Sequence, residues 1–217
     1  MLPFTSEQFF QVFADYNRAV WPAQWILWLA GAGALSGALA RRVSGTRVAL
    51  GLLAALWLWM ALAYHWTYFA RINPAARLFA VVFVVAASLL AWRAVGRSPL
   101  LLAPRRSARD AVGLALAAFG LVVYPLLNPL LGHRFPAAPG FGLPCPTTLF
   151  TIGLLTLSKP RVDRILLLTP VAWSLVGASA ALLLGVWQDL ALAFAAAWGV
   201  WLLIRPRATR RFAHPTE

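Results

Sequence analysis

The stretch of sequence that decides the fold runs from Val48 to Phe69 and reads VALGLLAALWLWMALAYHWTYF. It contains no Asp, Glu, Lys or Arg. An α-helix needs about 20 mostly apolar residues to cross the hydrocarbon core of a bilayer. The stretch therefore predicts a transmembrane helix.

The composition extends this prediction to the whole chain. Hydrophobic residues make up 61% of its 217 residues and charged residues only 12%, against about 25% charged in a typical soluble protein. The mean hydropathy is +0.74. A soluble fold of this size cannot bury so much apolar surface, so the lipid bilayer is the expected partner.

Apolar segments between polar connections predict a single all-α integral-membrane domain over residues 1–217, a bundle of seven transmembrane helices. The predicted spans are 20–40, 48–70, 75–92, 110–132, 146–158, 165–186 and 188–204. The fifth span is short for a crossing helix, so a broken or re-entrant element is the alternative there. If that segment or the seventh fails to cross, six spans remain.

The basic residues predict the orientation. Counted on alternate connections, fifteen Lys and Arg lie on one side and four (Arg18, Arg71, Arg77 and Arg134) on the other. The fifteen are Arg41, Arg42, Arg47, Arg93, Arg97, Arg105, Arg106, Arg109, Lys159, Arg161, Arg164, Arg205, Arg207, Arg210 and Arg211. Cytoplasmic loops of membrane proteins are rich in Lys and Arg. The N-terminus is therefore predicted outside and the C-terminus in the cytoplasm. The net charge of +13 follows from this topology and does not indicate a nucleic-acid partner.

The two ends of the chain differ in character. Residues 1–19 form an external amphipathic segment, with Phe9, Phe10, Phe13 and Tyr16 at helical spacing. Thr5 and Gln8 have the spacing of a helix capping box. Residues 205–217 form a basic cytoplasmic tail.

Unusual polar residues collect at the predicted outer end of the bundle. Ionisable and polar groups in or near lipid are functional-site candidates, because burying them is costly unless they meet one another or water. We expect a binding site built from His65, Tyr68, Asn73, His133 and Cys145, with Asp15 as a lid contact. His65 and Tyr68 are three residues apart and so share a helix face. His65, His133 and Cys145 are predicted within about 12 Å of each other, roughly one helix diameter.

Simpler interpretations of these residues stay open. Asn73-Pro74 is an ordinary helix start, and His65 can serve only to hydrogen-bond a neighbouring helix. The helix dipole at the start of the fifth span is expected to lower the pKa of the Cys145 thiol. His65, His133 and Cys145 are weak metal-ligand candidates without a recognisable ligand spacing. No catalytic motif is present, so an enzyme is less favoured and no cofactor is indicated.

Several phrases resemble an uncharacterised family of bacterial multi-pass inner-membrane proteins of about this length. The matching phrases are LPFT (2–5), EQFF (7–10), HW (65–66), YF (68–69), INPAA (72–76) and PCPTT (144–148). The resemblance implies a bacterial inner-membrane location. The family has no known function, so the resemblance implies no activity.

The function predicted from these features is a small transporter or permease-like protein for a small molecule or ion. Residues 75–93 and 190–205 share an apolar pattern that ends in Arg. This similarity suggests an internal repeat, in which a linker span separates two groups of three spans, as in small transporters with parallel repeats. The alternatives are a membrane enzyme or metal-binding protein that uses His65, His133 and Cys145, and a structural subunit of a membrane complex.

Overall fold

The computed structural model describes residues 3–96 and 100–205, and most of these residues are helical. The helices are α1 (Ser6–Val20), α2 (Ala23–Leu39), α3 (Val43–Trp59), α4 (Ala76–Val95), α5 (Ala108–Ala118), α6 (Tyr124–Leu127), α7 (Pro144–Thr156), α8 (Arg164–Leu184) and α9 (Leu190–Ile204). The all-α prediction is confirmed. Residues 206–217 of the predicted basic tail lie outside the described residues.

Two helices are continued by wider π-helical turns. α3 runs on as the π-helix Met60–Trp66, and α5 reaches α6 through the π-helix Phe119–Val123. Short 3-10 turns cover Phe69–Arg71, Pro129–Leu131 and Trp187–Asp189. The strands β1 (Leu101–Leu102) and β2 (Ser158–Lys159) pair antiparallel.

Five helical segments of the described chain are long and apolar enough to cross a membrane. They are Val43–Arg71, Ala76–Val95, Ala108–Leu127, Arg164–Leu184 and Trp187–Ile204. The other two predicted spans correspond to shorter apolar helices. α2 has 17 residues and α7 has 13, so α7 extends about 20 Å at 1.5 Å per residue.

Four basic connections meet at one end of the bundle, which we call the basic end. The first two of these connections are joined by the Arg41 guanidinium, which donates to the Pro104 carbonyl. The second and third are joined by the pairing of Leu101 with Lys159, and Arg93 also forms a 2.8 Å salt bridge with Asp163. The third and fourth are joined by Arg164, which donates to the Arg205 carbonyl. The connections that are basic in the sequence therefore lie together in the structure. For them to meet, the helical segments between them must run alternately away from this end and back to it.

Helix α1 lies across the opposite end, which we call the lid end. Thr5 and Gln8 form the predicted capping box at its start. The Asn17 amide donates to the carbonyls of Pro136 and Ala138 at 2.6 and 2.9 Å, which ties α1 to the loop before α7. The expected amphipathic helix is thus present, and its apolar face is buried against the bundle.

The core is centred on α7, which is enclosed by other helices and almost wholly buried. A Cβ on Gly153 of α7 would lie 2.5 Å from the Gly113 carbonyl of α5. A Cβ on Gly120 would lie 2.3 Å from the Pro146 carbonyl. Such close approach of backbones needs glycine. These contacts fix α7 in the centre and place its N-terminus near the lid end.

Candidate ligand-binding site

A chamber of about 160 Å³ lies beneath α1 at the lid end. Its wall is mostly apolar, and eight aromatic side chains contribute to it: Phe4, Phe9, Phe13, Tyr64, Phe69, Phe79, Tyr124 and Trp173. The π-helical segments lie beside two of them, since Tyr64 belongs to one and Tyr124 follows the other. Single π-helical turns occur frequently at functional sites.

The chamber has one polar corner, formed by Cys145, Asp189 and Tyr124. The Tyr124 hydroxyl donates to the Asp189 carboxylate at 2.5 Å, and the Cys145 thiol lies against the same carboxylate. Asp189 is 3% exposed. It precedes α9 without capping it through its side chain, so its oxygens remain directed to the tyrosine and the thiol.

A chain of amides supports this corner from behind. The Gln188 amide donates to the Asn128 side chain at 2.9 Å, and Asn128 donates to the Pro139 carbonyl at 2.7 Å. Both side chains are buried. Because buried amides are costly without partners, this chain fixes the turn that carries Asp189 against the loop that leads to Cys145.

Besides the Asn17 hydrogen bonds, the lid is held by aromatic contacts and by a hydrogen bond at Tyr16. The Trp59 indole donates to the Tyr16 hydroxyl at 2.7 Å, and Phe9 and Phe13 face the chamber. Burial raises the pKa of Tyr16 to about 12, against an opposing effect of the Trp59 hydrogen bond. The neutral phenol is therefore the form that the closed lid favours.

Two of the six predicted site residues, Cys145 and Asn73, line the chamber. The Asn73 side chain also accepts a hydrogen bond from the Ala75 N–H at 3.1 Å, as the helix-start interpretation requires. The structure brings this turn and the start of α7 to one site, although 72 positions separate Asn73 from Cys145 in the sequence.

His65 lies one layer behind the chamber. It is 0% exposed, and its ring packs edge-on at 4.5 Å from Phe83 and 4.9 Å from the chamber residue Trp173. Neither ring nitrogen has a hydrogen-bonding partner among the described residues. The alternative in which His65 bonds a neighbouring helix is therefore not supported by the structure.

The other three predicted residues lie around the lid. Tyr68 packs against Tyr16 of α1, and Asp15 accepts a hydrogen bond from Gln11 at 2.7 Å. The His133 ring stacks on Phe10 at 4.5 Å, and burial lowers the pKa of this imidazole. None of the three lines the chamber.

The expected low pKa of the Cys145 thiol is wrong. Burial raises this pKa, and the neighbouring Asp189 carboxylate raises it further. The helix dipole does not compensate for the loss of water and a nearby negative charge. Neither of the described histidines, His65 and His133, lines the chamber as a base.

No group of three His, Cys, Asp or Glu side chains among the described residues is placed to hold a metal ion. His65 and His133 contact different aromatic residues. His65 contacts Phe69, whereas His133 contacts Phe10. The three weak metal-ligand candidates therefore do not form a shared centre in this structure.

Sequence reasoning missed three residues of the site, Asp189, Tyr124 and Trp173. Asp189 left a signal, because a carboxylate between two long apolar segments is a functional-site candidate. Tyr124 and Trp173 left none, since aromatic residues are common throughout this chain.

Residues 6–214 match the model of a family of unknown function, DUF6064. The chain belongs to this family, which agrees with the uncharacterised family that the sequence phrases suggested. No curated protein and no solved structure matches it.

Proposed function

We propose that this protein is a small permease of the bacterial inner membrane, which binds a small molecule in the chamber. The observation that carries the proposal is the chamber itself. It is an apolar cavity under a separate lid helix, with a single buried polar corner. Small-molecule sites are typically concave and apolar with a few placed polar groups.

The proposed topology has seven spans, with the lid end outside and the basic end in the cytoplasm. The contacts that join the basic connections support it, because positive loops remain cytoplasmic. α2 and α7 complete the count as shorter elements. α7 lies in the protein interior, where irregular or short elements are tolerated at membrane depth.

Helix packing supports the arrangement of three spans, one linker and three spans. α2 and α4 each pack against α3, and α7, α8 and α9 pack on one another. The segment of α5 and α6 lies between these groups and packs against α7. Transporters built from repeats bind substrates near the interface between the repeats.

An alternating-access cycle would use two closures. On the outer side, α1 covers the chamber. Towards the basic end, the close packing of Gly113 and Gly153 and the hydrogen bond from Trp57 to Thr151 at 3.0 Å close the path.

The thiol-enzyme alternative has less support. A nucleophilic cysteine needs a lowered pKa or an adjacent base, whereas burial raises the pKa of Cys145. The structural-subunit alternative leaves the buried carboxylate without a role.

The test uses Cys145, the single cysteine of the chain. Right-side-out and inside-out membrane vesicles are treated with a membrane-impermeant cationic methanethiosulfonate reagent, and modification is followed by mass spectrometry. Alternating access predicts modification of Cys145 from both faces, at different rates. The Cys145→Ser variant gives the background, and Ser44→Cys in that variant reports sidedness because Ser44 is exposed at the basic end.

Modification from one face only would contradict transport and favour a binding or structural subunit. If Cys145 is modified from neither face, the proposal of a ligand-binding chamber is contradicted as well.

A further inference from the structure

The unusual feature of the chamber is a carboxylate that no cation of the described chain neutralises. The described residues that line the chamber include Asp189 but no Lys, Arg or His, and no salt bridge of the described chain involves Asp189. Among the described residues, the hydrogen-bonding partners of its side chain are the neutral Tyr124 hydroxyl and the Cys145 thiol.

A buried charge is costly unless it is paired. At the basic end the same chain pairs its buried carboxylate Asp110 directly with Lys159, at 2.8 Å. At the lid end no such partner is supplied by the described residues. A ligand that brings a positive charge would complete the site at Asp189.

The wall of the chamber fits the same kind of ligand. Aromatic rings attract cations through their electron-rich faces, and Trp and Tyr are the most effective. Trp173, Tyr64 and Tyr124 lie in the wall with Asp189. An aromatic enclosure with one carboxylate is suited to an ammonium group, whereas an anion would meet the carboxylate and no cationic side chain.

The volume limits the size of the ligand. The chamber measures about 160 Å³, close to the roughly 150 Å³ of an engineered apolar cavity that holds benzene. A molecule of this kind has an apolar body of about six carbon atoms with one polar group at the Asp189 corner.

We propose that the chamber binds a small organic cation, an amine or quaternary ammonium with an apolar body, whose charge pairs with Asp189 and whose body contacts the aromatic wall. This inference rests on the proposed function, because it names the class of molecule that the chamber takes.

The experiment measures protection of Cys145 from alkylation by the neutral reagent N-ethylmaleimide in the purified full-length protein. Three probes of similar shape are compared at pH 7: benzylammonium, benzyl alcohol and benzoate. Benzylammonium is expected to give half-maximal protection at about one tenth of the benzyl alcohol concentration, a ratio that corresponds to about 1.4 kcal/mol. Benzoate is expected to protect least.

Asp189→Asn should abolish the preference for benzylammonium and leave protection by benzyl alcohol unchanged, since asparagine keeps an acceptor for Tyr124. Asp15→Asn is the control, because it removes a carboxylate from the lid helix at a residue that does not line the chamber, so it should retain the cation preference. If Asp189→Asn does not fold, the comparison of the three probes on the unchanged protein remains the test.

Equal protection by the cation and the alcohol, with no effect of Asp189→Asn, would overturn the cation inference while the chamber remains a binding site. Strongest protection by benzoate would also overturn it. If none of the three probes protects Cys145, the proposed binding function fails as well.

Discussion

Lys159 is the single lysine of the chain, and its removal tests how the basic end is held together. Its ammonium lies 2.8 Å from both oxygens of Asp110. Asp110 is 0% exposed, and the pair joins the start of α5 to β2. We predict that Lys159→Met destabilises the protein strongly, because it leaves a carboxylate buried without its main partner.

The magnitude follows from the remaining contacts of Asp110. Breaking a buried ion pair by removing one partner costs about 3 to 5 kcal/mol. The Arg105 N–H still donates to the carboxylate at 2.8 Å, and the Arg109 guanidinium stays 3.4 Å away. These contacts place the expected loss at the lower limit, about 3 kcal/mol, which is more than a hundredfold in the unfolding equilibrium.

The assay is equilibrium unfolding in mixed micelles with increasing sodium dodecyl sulfate, followed by tryptophan fluorescence and far-ultraviolet circular dichroism. Asp110→Asn in the Lys159→Met background should recover most of the lost stability, because the unpaired charge is gone. Arg106→Met is the control, since Arg106 is an exposed cation on the connection that leads into α5 and Asp110. A change of at most 0.5 kcal/mol is expected there, roughly the limit for ordinary surface substitutions. If Lys159→Met costs no more than Arg106→Met, the buried pair does not stabilise the basic end.

Three further predictions concern the core and the lid. Gly153→Ala should destabilise the protein by about 1 to 3 kcal/mol in the same assay, because its Cβ would lie 2.5 Å from a backbone oxygen. Gly51→Ala, whose Cβ meets nothing within 4 Å, should be neutral or stabilising by less than about 1 kcal/mol, and equal losses would refute the packing argument. The absorbance of the Tyr16 phenolate should appear near pH 12, so the contribution of this residue to stability is complete below about pH 10 and is lost as the pH rises through 12. Titration of Tyr16 near pH 10 would show that the lid leaves it in water. Trp59→Phe should raise the Tyr16 pKa further and speed alkylation of Cys145 by N-ethylmaleimide, because the lid loses one of its hydrogen bonds to the bundle. An unchanged alkylation rate would show that this bond does not hold the lid closed.

The elements that could be predicted from the sequence depend on local pattern. The hydropathy of residues 48–70 predicts a helix wherever its neighbours lie, and α3 with its π-helical continuation covers most of this range. The capping box of α1 involves residues three apart. The clustering of basic connections follows from alternation along the chain, which needs no knowledge of helix packing.

The positions of the site residues depend on helix geometry and helix packing, which the local sequence pattern does not contain. His65 and Tyr68 were expected on one helix face, but the π-helix Met60–Trp66 changes the residue spacing and the helix then breaks. As a result His65 packs against Phe83 and Tyr68 packs against Tyr16.

The polar corner could not be predicted for a different reason. Asp189 and Tyr124 are 65 residues apart, and only the packing of α7 between α5 and α9 brings them together. The same packing leaves Cys145 only partly exposed and places it against the Asp189 carboxylate. The position of Cys145 at a helix N-terminus is therefore not sufficient to predict the pKa of its thiol.

The proposed topology is tested most directly by finding the side of the membrane on which the lid end and the basic end lie. Single-cysteine variants Gly140→Cys and Ser44→Cys, both made in the Cys145→Ser background, are treated in intact spheroplasts with a membrane-impermeant maleimide. A Cβ at Gly140 meets nothing within 4 Å, and Ser44 is exposed, so both substitutions fit the fold. With the lid end outside, Gly140→Cys, near the chamber, is labelled in intact spheroplasts and Ser44→Cys is labelled only after permeabilisation. Labelling of both positions from the same side, or the reverse pattern, would contradict the proposed topology.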